Sequence, residues 1–291
     1  MKTFRIGTLL VNAAFLSLML ACEGGNAPSA PSASSAAAAP RAAKISGSSS
    51  RSAMSAAAEL EAQGRCTNAT LEGAYGFVRT GGTSAGPLAA VGVVTYDGAG
   101  SWVTTATISR NGAYSFDAMS TGAYVVDADC TGKVLSNGQE IGLLDLVDGG
   151  KTVLVLSEAA GDAVSEVQKK VGQEGCNNAS LEGAFGFVRS GLTSAGPLAA
   201  LGFLVDDGLG NDVGRQTTSR NGVFTTAPVA GTYQVGADCQ GKFFMPNGQE
   251  FSRFVVVDRG NEVVQISESP GNTVTGDQRK VHSGHDEAAE H

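Results

Sequence analysis
The feature that most constrains this chain is an internal duplication. Cys66-Thr-Asn-Ala-Thr-Leu-Glu-Gly-Ala-Tyr-Gly-Phe-Val-Arg79 returns as Cys176-Asn-Asn-Ala-Ser-Leu-Glu-Gly-Ala-Phe-Gly-Phe-Val-Arg189. Thr83–Ala90 returns unchanged as Thr193–Ala200. Ser109–Gly112, Asp129-Cys130 and Asn137–Glu140 also have second copies, ending at Gly222, Cys239 and Glu250. The copies run in step at an offset of 110 residues, apart from one compensated single-residue shift near Gly122 and Gly231. Solenoid repeats span roughly 20–50 residues, so a period this long means two complete domains, over 66–170 and 176–280.

Each copy reads as all-β. In the first, turn signals fall at Asp97-Gly, Asn111-Gly, Asn137-Gly, Asp148-Gly-Gly and Gly161-Asp. Asn-Gly between apolar runs is a strong hairpin signal, because both central residues of a type I′ turn need positive φ. The runs between them are rich in Val, Thr and aromatics and suit strands over 74–80, 88–96, 102–109, 112–128, 132–136, 140–147, 152–157 and 163–169. About eight short strands joined by tight turns predict an up-and-down meander, and closing it removes the exposed edges. The expectation is two tandem, small antiparallel β-barrels, with a pair of β-sandwiches as the alternative. All the aromatics beyond the first 21 residues lie inside the two copies, which places the cores there.

The N-terminus reads as an export signal. Lys2 and Arg5 precede an apolar stretch from Ile6 to Ala21, shorter than the roughly 20 apolar residues of a permanent span. Met19-Leu20-Ala21-Cys22 resembles a bacterial lipobox, although Met19 and bulky Leu20 depart from it. Lipidation at Cys22 would hang the mature protein from a membrane by acyl chains; ordinary cleavage would leave it soluble. Glu23 differs from the Asp of an inner-membrane retention signal and favours the outer membrane. Residues 22–65, dominated by Ala and Ser with no aromatic, read as a disordered tether, in which Met54–Glu61 is the only candidate helix.

Removing the leader takes away Lys2 and Arg5 and lowers the formal charge from −8 to −10, a balance unsuited to nucleic-acid phosphates. Of the five cysteines, Cys22 belongs to the lipobox. The remaining four form two equivalent pairs, and an even number in an exported chain points to disulfides. Duplication favours Cys66–Cys130 and Cys176–Cys239 among the three pairings, because each copy then closes on itself. Cys66 precedes the first strand, so Cys130 must finish an even-numbered one. That requires 112–128 to be one long or bulged strand.

The ordered motifs Cys-x-Asn-Ala-(Thr/Ser)-Leu-Glu-Gly-Ala-(Tyr/Phe)-Gly-Phe, Gly-Pro-Leu-Ala-Ala, Asp-Gly-x-Gly and Asp-Cys-x-Gly resemble uncharacterised secreted bacterial lipoproteins with small lipocalin-like barrels. The resemblance covers both copies. It implies a β-barrel and no particular activity.

Catalytic candidates are few. The three histidines all lie in the last ten residues, so no Ser-His-Asp or Cys-His arrangement forms inside a domain. No enzyme activity and no cofactor is expected. Recurring carboxylates, among them Asp97/Asp207, Glu140/Glu250 and Glu158/Glu268, mostly flank expected turns. On a strand, Tyr75, Phe77 and Arg79 share one face, as do Phe185, Phe187 and Arg189. Facing inward, each set lines a cavity suited to an amphipathic anion; otherwise the aromatics are core and the Arg reaches solvent at the barrel mouth. Asn68-Ala-Thr70 and Asn178-Ala-Ser180 match glycosylation sequons but, behind a bacterial-type leader, read as turns. The tail over 281–291 carries His282, His285 and His291, a candidate metal-binding set. Two functions fit: an envelope module holding a small apolar or amphipathic ligand, or a structural protein whose filled barrels meet an envelope partner.

Overall fold
A computed structural model describes residues 66–172 and 175–281. The leader, Cys22, the tether and the three histidines lie outside them. The first copy forms β1 (Glu72–Thr83), β2 (Gly86–Asp97), β3 (Ser101–Arg110), β4 (Ala113–Val126), β5 (Thr131–Ser136), β6 (Gln139–Val147), β7 (Thr152–Ser157) and β8 (Ala163–Lys170). The second forms β9 (Gly183–Thr193), β10 (Gly196–Asp206), β11 (Asn211–Arg220), β12 (Val223–Val235), β13 (Gln240–Phe244), β14 (Glu250–Val257), β15 (Glu262–Ser267) and β16 (Thr273–Lys280). Each set pairs in sequence order, antiparallel throughout, and closes into an eight-stranded barrel through β1–β8 and β9–β16. The two-barrel expectation holds, and the sandwich alternative falls.

The turn chemistry is that of the sequence. Asn111 and Asn137 adopt φ of 50° and 51°, as an Asn-Gly hairpin demands. Asp97 and Asp207 each turn a side-chain oxygen onto following backbone N–H groups, fixing the β2–β3 and β10–β11 turns. The sequon segments form 3₁₀ turns that cap one end of each barrel. Asn68 Oδ1 accepts from Val126 N–H at 2.8 Å, and Asn178 Oδ1 from Val235 N–H at 2.9 Å.

Cys66 is bonded to Cys130 and Cys176 to Cys239, at the same barrel ends as these caps. Closing loops of 64 and 63 residues restricts the unfolded chain by about 4 kcal/mol each. β4 is one long strand, as the Cys66–Cys130 argument requires. It is bulged: the β3–β4 register passes from Ala106↔Ala118 to Ile108↔Ser115, and Asp117 sits at φ 52°. The matching β11–β12 register is unbroken.

Both barrels fall within one compact unit and pack on each other. The outer face of β1–β2 meets the outer face of β14–β16, burying Ala89 and Val91 against Val255, Val257, Val264 and Ile266. Polar contacts flank this apolar seam. Lys169 pairs with Glu262, and Tyr114 donates its hydroxyl to the Asn272 carbonyl at 2.8 Å.

Candidate functional site: one filled barrel and one hollow barrel
Cross-strand pairing shows which residues face inward. In the first barrel Tyr75, Phe77 and Arg79 do, opposite Val94, Gly92 and Ala90. Tyr75, Tyr96 and Tyr124 pack edge to face, with centroids 5.5 and 4.9 Å apart, and Trp102 and Leu144 complete the core. Tyr75 donates to the Gly150 carbonyl at 2.6 Å, and burial pushes its phenol up to about 12. Tyr75 and Phe77 are therefore core residues in a filled interior.

A polar chain crosses this barrel above the core. Tyr96 donates to Gln168 Oε1 at 2.9 Å, and Gln168 donates to Glu166 Oε1 at 2.6 Å. Glu166 Oε2 in turn accepts from Arg79 Nε at 2.5 Å. Arg79 also lies over the Phe77 ring. Every member of the chain has its partner. What remains at the mouth is a smaller cavity of about 240 Å³ beside Arg79 and Glu166.

The second barrel carries the same frame with different contents. Phe185, Phe187 and Arg189 again face inward, opposite Leu204, Gly202 and Ala200. At the positions of Tyr96 and Trp102, however, stand Asp206 and Asp212, which pair directly across β10–β11. Glu166 is replaced by Gly276, and Ala106 by Gln216. Two large rings are lost, and a cavity of about 460 Å³ opens. Phe187, Leu204, Val229, Phe243 and Phe251 form its apolar wall, while Arg189, Asp212, Gln216, Gln265 and Gln278 supply polar groups. It reaches the Met245–Pro246 turn, beside the stretch of β12 that lies beyond its four paired positions with β13.

Losing Glu166 redirects the arginine. A Cβ on Gly276 would stand 2.3 Å from Arg189 Cγ, so this arginine excludes a side chain at the position of its former partner. Its Nη2 donates to Gln216 Oε1 at 2.8 Å, and its guanidinium lies 4.9 Å from the Phe187 ring centroid. Burial lowers its pKa, opposed by nearby Asp212.

Losing the tyrosine hydroxyl orphans the acceptors. Gln278 stands where Gln168 accepts from Tyr96, and its Oε1 has no hydrogen-bond partner. Nor have both carboxylate oxygens of Asp206 and Oδ1 of Asp212. All three side chains are more than nine-tenths buried. Burial, then the Asp212 charge, raises Asp206 to about 8; burial raises Asp212 to about 6, with Arg189 pulling the other way.

The carboxylates outside this cavity have structural surroundings. Glu140 pairs with Lys133, and Arg253 bridges Glu250, Glu268 and Asp117 at the barrel junction. Burial and the Glu250 carboxylate raise Glu268 to about 7. A larger cleft, about 520 Å³, lies at the junction around Lys151, Lys170 and Arg259, away from both interiors. Among the described residues no group of three or more His, Cys, Asp or Glu is placed to hold a metal.

Fold and site together define a tandem eight-stranded β-barrel protein, disulfide-closed in each half, with one barrel filled and the other hollow. No family model matches the chain, and no curated protein does. Among solved structures it aligns with a protein of unknown function from the DUF3598 family of Nostoc punctiforme. The alignment has 11% identity over 73% of this chain and 97% of that chain, with a TM-score of 0.26.

Proposed function
We propose that this chain is an exported, lipid-tethered binding module of the cell envelope, built on lipocalin-like barrels. In this reading the second barrel holds a small amphipathic molecule, and the first is its filled, rigid support. The observation that carries it is the set of buried acceptors without donors around the second cavity. Leaving such groups unsatisfied costs about 1–3 kcal/mol each, and a ligand that donates hydrogen bonds recovers that cost. The orphaned atoms that line the cavity, Asp212 Oδ1 and Gln278 Oε1, are acceptors, whereas the arginine is already engaged. The polar end of the ligand is therefore a donor, best an ammonium group, with its hydrocarbon part against Phe187, Phe243 and Phe251. This differs from the amphipathic anion that one of the two sequence readings of Arg79 and Arg189 suggested. A volume of about 460 Å³ falls in the usual range of small-molecule sites.

Calorimetry with octylammonium, octanoate and octanol tests the reading. Octylammonium should bind once per chain, and Asp212→Asn together with Gln278→Leu should abolish it. Tighter binding of octanoate would overturn the assignment. A second reading, an envelope interaction protein without a small ligand, draws on the filled first barrel; it gains if none of the three probes binds. Native mass spectrometry of protein from its own host would reveal a retained ligand directly.

The envelope part of the reading is supported by the lipobox-like residues at Cys22 and by two disulfides, which persist in oxidising compartments. Acyl chains supply membrane affinity of about 0.8 kcal/mol per buried CH₂. Cys22→Ser should move the protein from the membrane pellet to the soluble exported fraction with both disulfides intact. A pellet that retains the variant after a high-salt wash, with no acyl mass on the wild type, refutes the anchor.

A further inference from the structure
The two barrels meet through unlike faces. One is β1–β2 of the first barrel, with Gly76, Val91 and Val93; the other is β14–β16 of the second, with Val255, Val257, Val264 and Ile266. Such a contact is head to tail. In a duplicated chain it leaves the counterpart of each face unused: β9–β10 on the second barrel and β6–β8 on the first.

Both unused faces are exposed and mostly apolar, although on the first barrel Asp145 stands at the position of Val255, opposite Leu154. Leu201 and Phe203 stand at the positions of Val91 and Val93; Leu201 is 63% exposed where Val91 is 2%. Val188 adjoins Leu201 across β9–β10. On the first barrel, Leu154 and Leu156 stand at the positions of Val264 and Ile266; Leu156 is 53% exposed where Ile266 is 0%. Leu143 adjoins Leu156, and Val167 adjoins Leu154. These outward side chains alternate with the inward ones and contribute nothing to either core. Single exposed leucines are ordinary, but contiguous apolar rows on neighbouring strands mark an interaction surface. Gly186 adds a further sign. It is the counterpart of Gly76, where a Cβ would stand 2.4 Å from Val257 Cγ1, yet a Cβ on Gly186 would meet nothing within 4 Å.

We propose that chains join head to tail, the β9–β10 face of one chain seating on the β6–β8 face of the next, in the arrangement already used between the two barrels of a single chain. The occupant of each free face is thus a second copy of this chain. A heterologous contact of this kind repeats into a filament, or closes into a ring if the rotation allows. It is weaker than the internal seam, because Asp145 takes the place of Val255 in the apolar row and the ionic part is not repeated. Arg253, which holds Asp117 at 2.8 Å and lies over Phe116, corresponds to Leu143. Lys169 and Glu262 correspond to Arg279 and Thr152. Association is therefore apolar and reversible.

Sedimentation velocity on the full exported chain carrying Cys22→Ser, so that no acyl group drives association, tests this. The weight-average mass should rise with concentration beyond that of one chain. Leu201→Asp with Phe203→Asp blocks one face, and Leu154→Asp with Leu156→Asp blocks the other. Each variant alone should stay monomeric, and an equimolar mixture should form a one-to-one dimer and nothing larger. Gly186→Val should weaken association in a chain whose unfolding midpoint is unchanged, which covers the case of a misfolded charge variant. A wild type that is monomeric throughout, a face-blocked variant that still self-associates, or a mixture that fails to pair would each overturn the proposal. So would a chain that stays monomeric in buffer while the same faces bind lipid vesicles.

Discussion

At the scale of single residues, a handful of replacements separates a packed core from a cavity. Tyr96 and Trp102 become Asp206 and Asp212, and the hydroxyl that satisfied Gln168 has no equivalent beside Gln278. The exchange carries a pH signature. Asp206 titrates near 8 in the folded chain and near 3.9 when unfolded. Between those values the folded state holds a proton that the unfolded state has released, so stability falls as pH rises through that window. The slope is up to about 1.4 kcal/mol per pH unit, and it flattens above pH 8. Asp212, near 6, adds to the fall only below that pH. Urea unfolding followed by circular dichroism should give a higher midpoint at pH 5 than at pH 8, and Asp206→Asn should remove most of the difference. An unchanged slope in the variant would mean that Asp206 is ionised in the folded barrel. Binding of an ammonium ligand should run the opposite way, strengthening as both carboxylates ionise.

At the scale of elements, the shift that breaks the repeat near Gly122 has a structural identity. It is the bulge of β4, whose additional residue brings Asp117 to Arg253 of the second barrel. β12 lacks that residue, and Pro246 in the β13–β14 turn restores the count. One ionic contact across the barrel junction is thus marked in the sequence by one extra residue. Gly76 marks the other side of the seam. Gly76→Ala should destabilise the chain by about 1–3 kcal/mol, since its Cβ would collide with Val255 and Val257. Gly186→Ala, at the matching position in open space, should shift stability by no more than about 0.5 kcal/mol. Equal effects of the two in chemical denaturation would contradict the seam.

At the scale of the whole molecule, each barrel closes through its own strand pairs and its own disulfide, yet neither is finished alone. A fragment of residues 66–170 bares Val91 and Val93, and one of 176–280 bares Val255, Val257 and Ile266. Both should show β-type circular dichroism and a cooperative melt once oxidised, because the closed hydrogen-bond ladders do not cross the seam. Both should also melt below the intact chain. Mixing them should recover a one-to-one complex with a higher melting temperature, read by calorimetry. Fragments that stay molten with the disulfide formed would show that closure itself depends on docking.

The sequence by itself determined the duplication, the all-β class, the turns at Asn111 and Asn137, the two cysteine pairs and the long fourth strand. Each follows from local chemistry: φ signs, period-two patterning and the need of a disulfide for ends that meet. The sequence also placed Tyr75, Phe77 and Arg79 on one face with their counterparts Phe185, Phe187 and Arg189. It read the two sets as one site repeated. Only the tertiary structure decided that they differ, because the deciding residues lie on β2, β3, β8, β10, β11 and β16, distant along the chain and adjacent only after closure. A position-by-position comparison of the copies carries the signal, as aromatic-to-Asp changes at inward positions. Period-two alternation distinguishes the two sides of a strand without saying what lies against the outer one. Val91 and Leu201 read alike, and only docking shows that one is covered and the other bare.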